Sequence, residues 1–291
     1  MRKKQTESTP DVRKEHFARL CEQERETNPD AGFTVYQEKG LHALLKEFYG
    51  GEGASFEVRL TDGMISPSKR EHYGELTDLK TRSARDRYVA DVVTSKGDII
   101  EIQTGSLYPL VKKIHFYLCL TDRRVTVVHP VAYRKRVRWV DPRTGEVSKW
   151  NRSPKKGSVK DVARELYWMR DYLAEPRFSL CIPLLEMEET RLLDGWGRGG
   201  KRGSHRSELR ATALCDEVVL SCPQDYADAF LPHESTLPSP FTAAAYAKAT
   251  GIRGRATYSV LGLLCDLGFL AEGERKGRAK TWVRVKTKKR S

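Results

Sequence analysis

No stretch of this 291-residue chain approaches the roughly 18 consecutive apolar residues of a bilayer-crossing helix. Its start, "MRKKQTESTP", is basic but lacks the apolar segment of a secretory signal. The expectation is a cytosolic protein with no membrane partner. Disulfide and zinc frameworks are missing as well. The six cysteines (Cys21, Cys119, Cys181, Cys215, Cys222, Cys265) include no CxxC pair and no His/Cys set at zinc-ligand spacing, so reduced thiols in apolar surroundings are expected. Internal repeats are also absent.

Acidic charge is in deficit: 39 Asp and Glu against 52 Lys and Arg leave a net +13. The surplus is clustered. Arg134 to Lys160 holds ten basic residues against two acids, Glu272 to Ser291 holds nine against two, and "GWGRGGKRGSHR" forms a third basic stretch. Three separate basic patches suit a long polyanion better than a small anionic metabolite, because each neutralised phosphate releases condensed counterions. A nucleic acid is therefore the expected partner.

The length allows two domains. Residues 1–30 read as a polar tail or helix. In "EKGLHALLKEFYG", Leu41, Leu44, Leu45 and Phe48 recur at i, i+3, i+4 and i+7, predicting an amphipathic helix closed by Gly50-Gly51, with Glu38 in its first turn. "ASFEVRLTDG" alternates like a strand, and "RYVADVVTSKGDIIEIQTG" reads as a hairpin. "SLYPLVKKIHFYLCL" presents one helical face with Pro109 in its first turn, and "RRVTVVHPV" reads as a buried strand. That order describes an α/β sheet core. "RVRWVDPRTGEVSKW" looks like a second hairpin, "SVKDVARELYWMRDYL" like one helix capped by Ser158, and "FSLCIPLLEMEE" like a further strand. Residues 191–240, rich in Gly, Pro and basic side chains, read as a linker region after a domain spanning 31–190. From Phe241 the pattern is helix, turn, helix, strand, turn, strand, a second domain over 241–288.

The hairpin raises a chemical question. A two-residue Lys-Gly loop would put Asp91 and Glu101 on opposite faces; the preferred three-residue Ser95-Lys96-Gly97 loop, with Gly97 left-handed, sets Thr94 opposite Asp98 and Asp91 opposite Glu101. Val92, Ile100 and Ile102 then share one face, and Asp91, Glu101 and Gln103 the other. Facing carboxylates repel unless a positive group lies between them. Mg²⁺ suits two carboxylates plus waters and phosphate oxygens, so Asp91, Glu101 and the Ile102 carbonyl make a candidate open metal site, with Gln103 able to orient a water.

These residues resemble the PD-(D/E)xK, or restriction-endonuclease-like, nucleases. The likeness spans roughly residues 33–132: Asp91, then "EIQ" from Glu101 to Gln103, with the αβββαβ element order around them. It implies a restriction-endonuclease-like mixed sheet flanked by helices and Mg²⁺ (or Mn²⁺) as cofactor. It also implies Asp91 and Glu101 as metal ligands and Glu38 as an assisting acid. Gln103 stands where the family usually has lysine; some members supply that lysine from the next helix, where Lys112 and Lys113 lie, so Lys113 is a candidate to steady the phosphate. "EIQTGSLYPLVKKI", "VVHPV" and "RSPKKG" also resemble an uncharacterised bacterial branch of such proteins.

Residues 241–286 resemble a winged helix-turn-helix, whose second helix enters the major groove while its wing meets phosphates. Arg253 and Arg255 start that helix, and Arg275, Lys276, Arg278 and Lys280 lie in the wing. Arg134, Lys135, Arg136, Arg138, Arg152, Lys155 and Lys156, interleaved with Tyr133, Trp139 and Trp150, are further candidates for gripping nucleic acid. The expected activity is Mg²⁺-dependent hydrolysis of double-stranded DNA. The alternatives are a catalytically inactive DNA-binding regulator, with Gln103 marking lost chemistry, and an RNA-processing nuclease. The resemblance leaves a homodimer open.

Overall fold

A computed structural model of the chain describes residues 10–27, 38–59, 64–66, 88–195 and 203–285, the side chains of Glu38, Lys39 and His205 excepted. The expected contribution of Glu38, most of the "GWGRGGKRGSHR" stretch and the terminal "KTKKRS" lie outside the described residues.

The sequence opens with α1 (Pro10–Thr27), longer than its few apolar residues suggest. Phe17, Leu20 and Cys21 are buried and settle against α2 (Glu38–Gly50), whose Leu41, Leu44, Leu45 and Phe48 form the stripe read from the sequence. At about 1.5–3 kcal/mol per fully buried side chain, that stripe, rather than helix propensity, holds α2 on the sheet.

The sheet is mixed and, among the described residues, eight-stranded. β1 (Ser55–Arg59), β2 (Val89–Val93) and β3 (Ile99–Ile102) form an antiparallel meander. A crossover through a 3₁₀ turn and α3 (Val111–Leu120) then lays β4 (Val125–Val128) parallel to β3. Next come β5 (Val131–Val140) and the short β6 (Asn151–Arg152), which pair antiparallel; the return strand thus falls just past the stretch expected for it, within which Val147 makes an isolated bridge to Val140. Both β4 and β5 run parallel to β7 (Phe178–Leu192): β4 covers its first four residues and β5 its last nine. Pro130, which has no N–H to donate, separates the two segments.

Two expectations fail. Residues 191–240 are not simply a linker: His205–Leu220 form β8, antiparallel to β7 over nearly its whole length, and α5 (Pro223–Phe230) follows. The register between β7 and β8 slips at Leu184/Leu185, Glu186/Met187 and Thr190/Arg191, and these irregularities break the alternation that would have marked β8 as a strand. The single helix expected after Gly157 is instead a 3₁₀ segment (Val159–Arg164), a short α4 (Leu166–Met169) and a second 3₁₀ turn (Arg170–Tyr172). Its start was legible, since Ser158 caps it in a capping box with Asp161. Gly157 sits so close to β5 that a Cβ there would lie 2.3 Å from the Ala132 carbonyl oxygen.

The C-terminal part is α6 (Ala243–Thr250), a left-handed Gly251 turn, α7 (Arg255–Asp266), and the hairpin of β10 (Leu270–Lys276) and β11 (Ala279–Arg284), with β9 (Phe241–Thr242) beside β11. Its apolar side chains, among them Val260, Leu261, Leu264 and Trp282, belong to the same buried cluster as Ile99, Ile114, Val127 and Leu180 of the large sheet. The two expected domains thus share one core. Among the described residues no helix is long and apolar enough to cross a membrane.

Candidate functional site

The hairpin turns as its spacing predicts. Thr94 N–H donates to the Asp98 carbonyl, Gly97 is left-handed (φ 86°), and Val92 pairs with Ile100 and Val93 with Ile99. This register sets Asp91 opposite Glu101. Val92, Ile100 and Ile102 enter the core beneath α1 and α2, while Glu101 points to the other face, toward α3.

Asp91 behaves differently from a face-directed side chain. The β2–β3 pairing ends at Val92 and Ile100, and one Asp91 oxygen takes over by accepting the Ile102 N–H at 2.8 Å. The same carboxylate reaches α2, with Lys46 Nζ at 3.1 Å and His42 Nε2 at 3.4 Å. His42 also lies 3.1 Å from the Ile102 carbonyl oxygen. Burial works against the Asp91 charge, but the His42 and Ile102 hydrogen bonds and the Lys113 charge prevail and hold its carboxyl well below the usual carboxylate range. Although burial opposes the charge of Lys46 too, its bonds to Glu57 and Asp91 raise it above the ordinary lysine value.

Glu101 is wholly buried. Lys113 Nζ donates to one of its oxygens at 2.5 Å and Tyr117 hydroxyl to the other at 3.2 Å. Burial pushes the Glu101 carboxyl up to about 7, against the pull of Lys113 and helped by the Asp91 charge. The Tyr117 phenol is pushed up in turn, by burial first and by Glu101 second. Two neighbouring carboxyls are therefore driven in opposite directions, a pattern typical of sites that move protons or hold cations.

Gln103 faces another task. Its side-chain amide donates to the Ser106 carbonyl at 2.8 Å, its backbone N–H to Val128, and its carbonyl accepts from His129 at 2.7 Å. It thereby fixes the loop after β3. Burial holds His129 below its ordinary value. His42, Lys46 and Tyr117 were not singled out in the sequence. His42 and Lys46 follow the apolar positions Leu41 and Leu45 on α2 by one residue, the offset that brings a polar side chain to the edge of a buried stripe, and that was their only signal.

The donor set for a divalent cation is limited. Among the described residues no group of three or more His, Cys, Asp or Glu converges. The candidate donors Asp91, Glu101 and the Ile102 carbonyl each engage groups of the chain itself: Asp91 the Ile102 N–H, Lys46 and His42, Glu101 Lys113 and Tyr117, and the Ile102 carbonyl His42.

The basic candidates divide into two sets. On β5, Arg134 pairs with Glu186, Lys135 with Glu189 and Arg136 with Glu188, while Arg138 bonds Thr190, all on β7. Glu189 is buried, and although burial works against it, Lys135 and Arg191 hold its carboxyl below the ordinary value. These cations therefore largely balance the sheet's own acids. Trp150 lies under Arg138 and Tyr133 under Lys156, with cation-to-ring distances of 4.7 and 4.5 Å. Arg152, Lys155, Lys156, Arg253, Arg255, Arg275, Lys276 and Arg278 are exposed; Lys155 pairs with Asp161, and Lys280 with Glu272.

The fold and the site define a mixed α/β protein whose central hairpin brings two oppositely perturbed carboxyls together beside two lysines. The chain belongs to the family described as "Domain of unknown function (DUF8091)", whose model matches residues 69–221. That range runs through all of β2 to β8 and stops before α5, so the family unit includes the strand that was expected to be linker. The chain is also similar to an uncharacterized protein of Treponema pallidum (strain Nichols), 28% identical over 162 residues, covering 56% of this chain and 53% of the relative. The chain spans about half the length of that relative. No solved structure matches it.

Proposed function

We propose that this protein is a metal-dependent phosphodiesterase of the restriction-endonuclease-like type, acting on DNA. The observation that carries the reading is that Asp91 and Glu101 lie opposite each other in the β2–β3 register, near enough for the Asp91 charge to help raise the Glu101 carboxyl, with Lys113 of the following helix on Glu101. The order α2, β1, β2, β3, α3, β4 is that of the αβββαβ core. Supporting it at the other end, α6, the Gly251 turn, α7 and the β10–β11 hairpin follow the order of a winged helix. Arg253 and Arg255 are exposed at the start of α7, and Arg275, Lys276 and Arg278 at the hairpin tip.

Asp91, Glu101 and the Ile102 carbonyl would hold Mg²⁺ or Mn²⁺, which when bound supplies positive charge to a phosphoryl oxygen and acidifies a bound water. The chain's own residues prepare that chemistry. The Ile102 N–H and His42 fix the rotamer of Asp91, and Tyr117 fixes that of Glu101. Lys113 neutralises Glu101 in the free protein; once the carboxylate has another cation, its ammonium is positioned to hold a phosphate oxygen, the role in which lysine acts as a point charge. Lys46 of α2, which also pairs with Glu57, balances the charge of Asp91.

One observation favours a second reading, a DNA-binding regulator without catalysis: each oxygen of both carboxylates already accepts from, or pairs with, a donor of the chain. The test is cleavage of supercoiled, linear duplex and single-stranded DNA with Mg²⁺ and with Mn²⁺, alongside measured binding. Asp91→Ala and Glu101→Ala should abolish cleavage and leave binding largely intact. Binding by the wild type without cleavage of any form would establish the regulator instead.

A further inference from the structure

Beside the C-terminal helices lies a surface that the carboxylate pair does not use and that the winged-helix reading touches only through Arg253. Glu165 is its hinge. One Glu165 oxygen accepts from the Leu107 N–H at 2.8 Å and the Ser106 hydroxyl at 2.9 Å, tying the 3₁₀ segment after β6 to the loop that Gln103 fixes behind β3.

On one side of Glu165 three aromatic side chains stand in the open: Tyr108 is 61% exposed, Tyr167 51% and Trp168 37%. They touch one another, with the Tyr108 ring 4.7 Å and the Tyr167 ring 5.1 Å from Trp168. Isolated exposed aromatics are ordinary, but a contiguous trio is a surface that water solvates poorly. On the other side of Glu165 a cleft of about 520 Å³ opens between the 155–165 segment and the turn leading into α7. Lys155, Lys156, Lys160, Arg164 and Arg253 line it, against the acids Asp161 and Glu165. Lys160 spans it, donating to the Thr250 carbonyl at 3.2 Å, so the spacing of the cations is set by the packing of the C-terminal helices on this segment.

The geometry points to a binding site for an unpaired DNA strand: the cleft cations take its phosphates and the aromatic trio stacks its bases, leading the strand to the β3 loop. Two features favour this occupant over an apolar protein partner. The aromatic trio and the cation-lined cleft adjoin at Glu165, which lines the cleft and bonds the loop that carries Tyr108, and a row of phosphates next to flat bases is the ligand whose two chemistries match the two halves of the surface. Stacking on an aromatic face is open to every base, so the site would be tolerant of sequence. The inference rests on the DNA reading above, but it concerns binding and does not need the carboxylates.

Fluorescence anisotropy of the full chain with labelled oligonucleotides of one length separates the possibilities: a mixed-sequence single strand, the matching RNA, a duplex, and a strand of abasic sites with the same phosphates. The single DNA strand should bind roughly 5- to 150-fold more tightly than the abasic strand, the range for one stacked base. Trp168→Ala and Tyr108→Ala should erase that difference, and Trp168→Phe should restore most of it. Tyr108, the most exposed of the three, can be removed without opening the core, so its variant decides the matter if Trp168→Ala unfolds. Lys156→Ala should weaken both strands equally and lower the salt dependence by about 0.7 in log–log slope. Equal affinity for normal and abasic strands, an unaltered Tyr108→Ala, a Tyr108→Ala that weakens duplex binding as much as single-strand binding, or stronger binding to RNA than to the single DNA strand would overturn the inference. Failure to bind any nucleic acid would overturn the DNA reading with it.

Discussion

Glu101→Gln removes one charge from a wholly buried position and keeps the side chain's shape, so it isolates the titration of that group. In the folded protein the Glu101 carboxyl sits near 7, against an ordinary 4.5. At 1.36 kcal/mol per pKa unit the difference corresponds to about 3 kcal/mol between the two protonation states. The sign follows from which state binds the proton more tightly, and that is the folded one. Its contribution is therefore fully present below about 4.5 and is lost as pH rises through 7. Asp91 runs the other way: its folded carboxyl is depressed, so its contribution is present above 3.8 and lost only in stronger acid. Between pH 4.5 and 8 Glu101 thus titrates without interference from Asp91.

Urea unfolding of wild type and Glu101→Gln across that window should show the wild type losing about 3 kcal/mol relative to the variant. Adding Mg²⁺ at pH 8 should restore about 1.4 kcal/mol to the wild type at ten times its Kd, and nothing to the variant, because the cation binds the ionised form. A stability difference that stays flat from pH 4.5 to 8 would refute the reasoning. It would mean that Lys113 compensates the burial of Glu101 fully and that the pair is a permanent ion bridge.

Asp91→Asn should cost about 1–3 kcal/mol in unfolding free energy, since the charge that Lys46 and the Ile102 N–H share is lost, and should abolish any Mg²⁺-dependent cleavage. Glu189→Gln should cost about 1–3 kcal/mol in the same assay, because Lys135 and Arg191 lose a charged acceptor but keep access to water. Gly157→Ala should lower the thermal midpoint, as its Cβ would meet the Ala132 carbonyl and force the basic segment away from β5. Arg253→Ala and Arg275→Ala together should weaken duplex binding at every sequence alike and reduce the salt slope by about 1.8, whereas Arg134→Ala, whose partner is Glu186, should change it little.

The sequence by itself determined what is local. A left-handed glycine in a three-residue loop fixes a register, and of the two loops that "TSKGD" allows, the apolar alternation of Val92, Ile100 and Ile102 selected the one that sets Asp91 against Glu101. A four-residue apolar stripe fixed α2 and the face it buries, and Ser158 with Asp161 fixed the start of a helical segment. What the sequence left open depends on partners far along the chain. β8 is hidden because three slips against β7 scramble its period, and only pairing with β7 reveals it as a strand. The basic run of β5 read as a phosphate grip, but Glu186, Glu188 and Glu189, some fifty residues later, stand beside it in a parallel register and balance much of its charge. The carboxylate pair divides in the same way. Its existence was written in one hairpin, while its electrostatics were decided by tertiary packing, which brings Lys46 and His42 of α2 to Asp91, and Lys113 and Tyr117 of α3 to Glu101, and buries Glu101 deeply enough to move its proton into the neutral range.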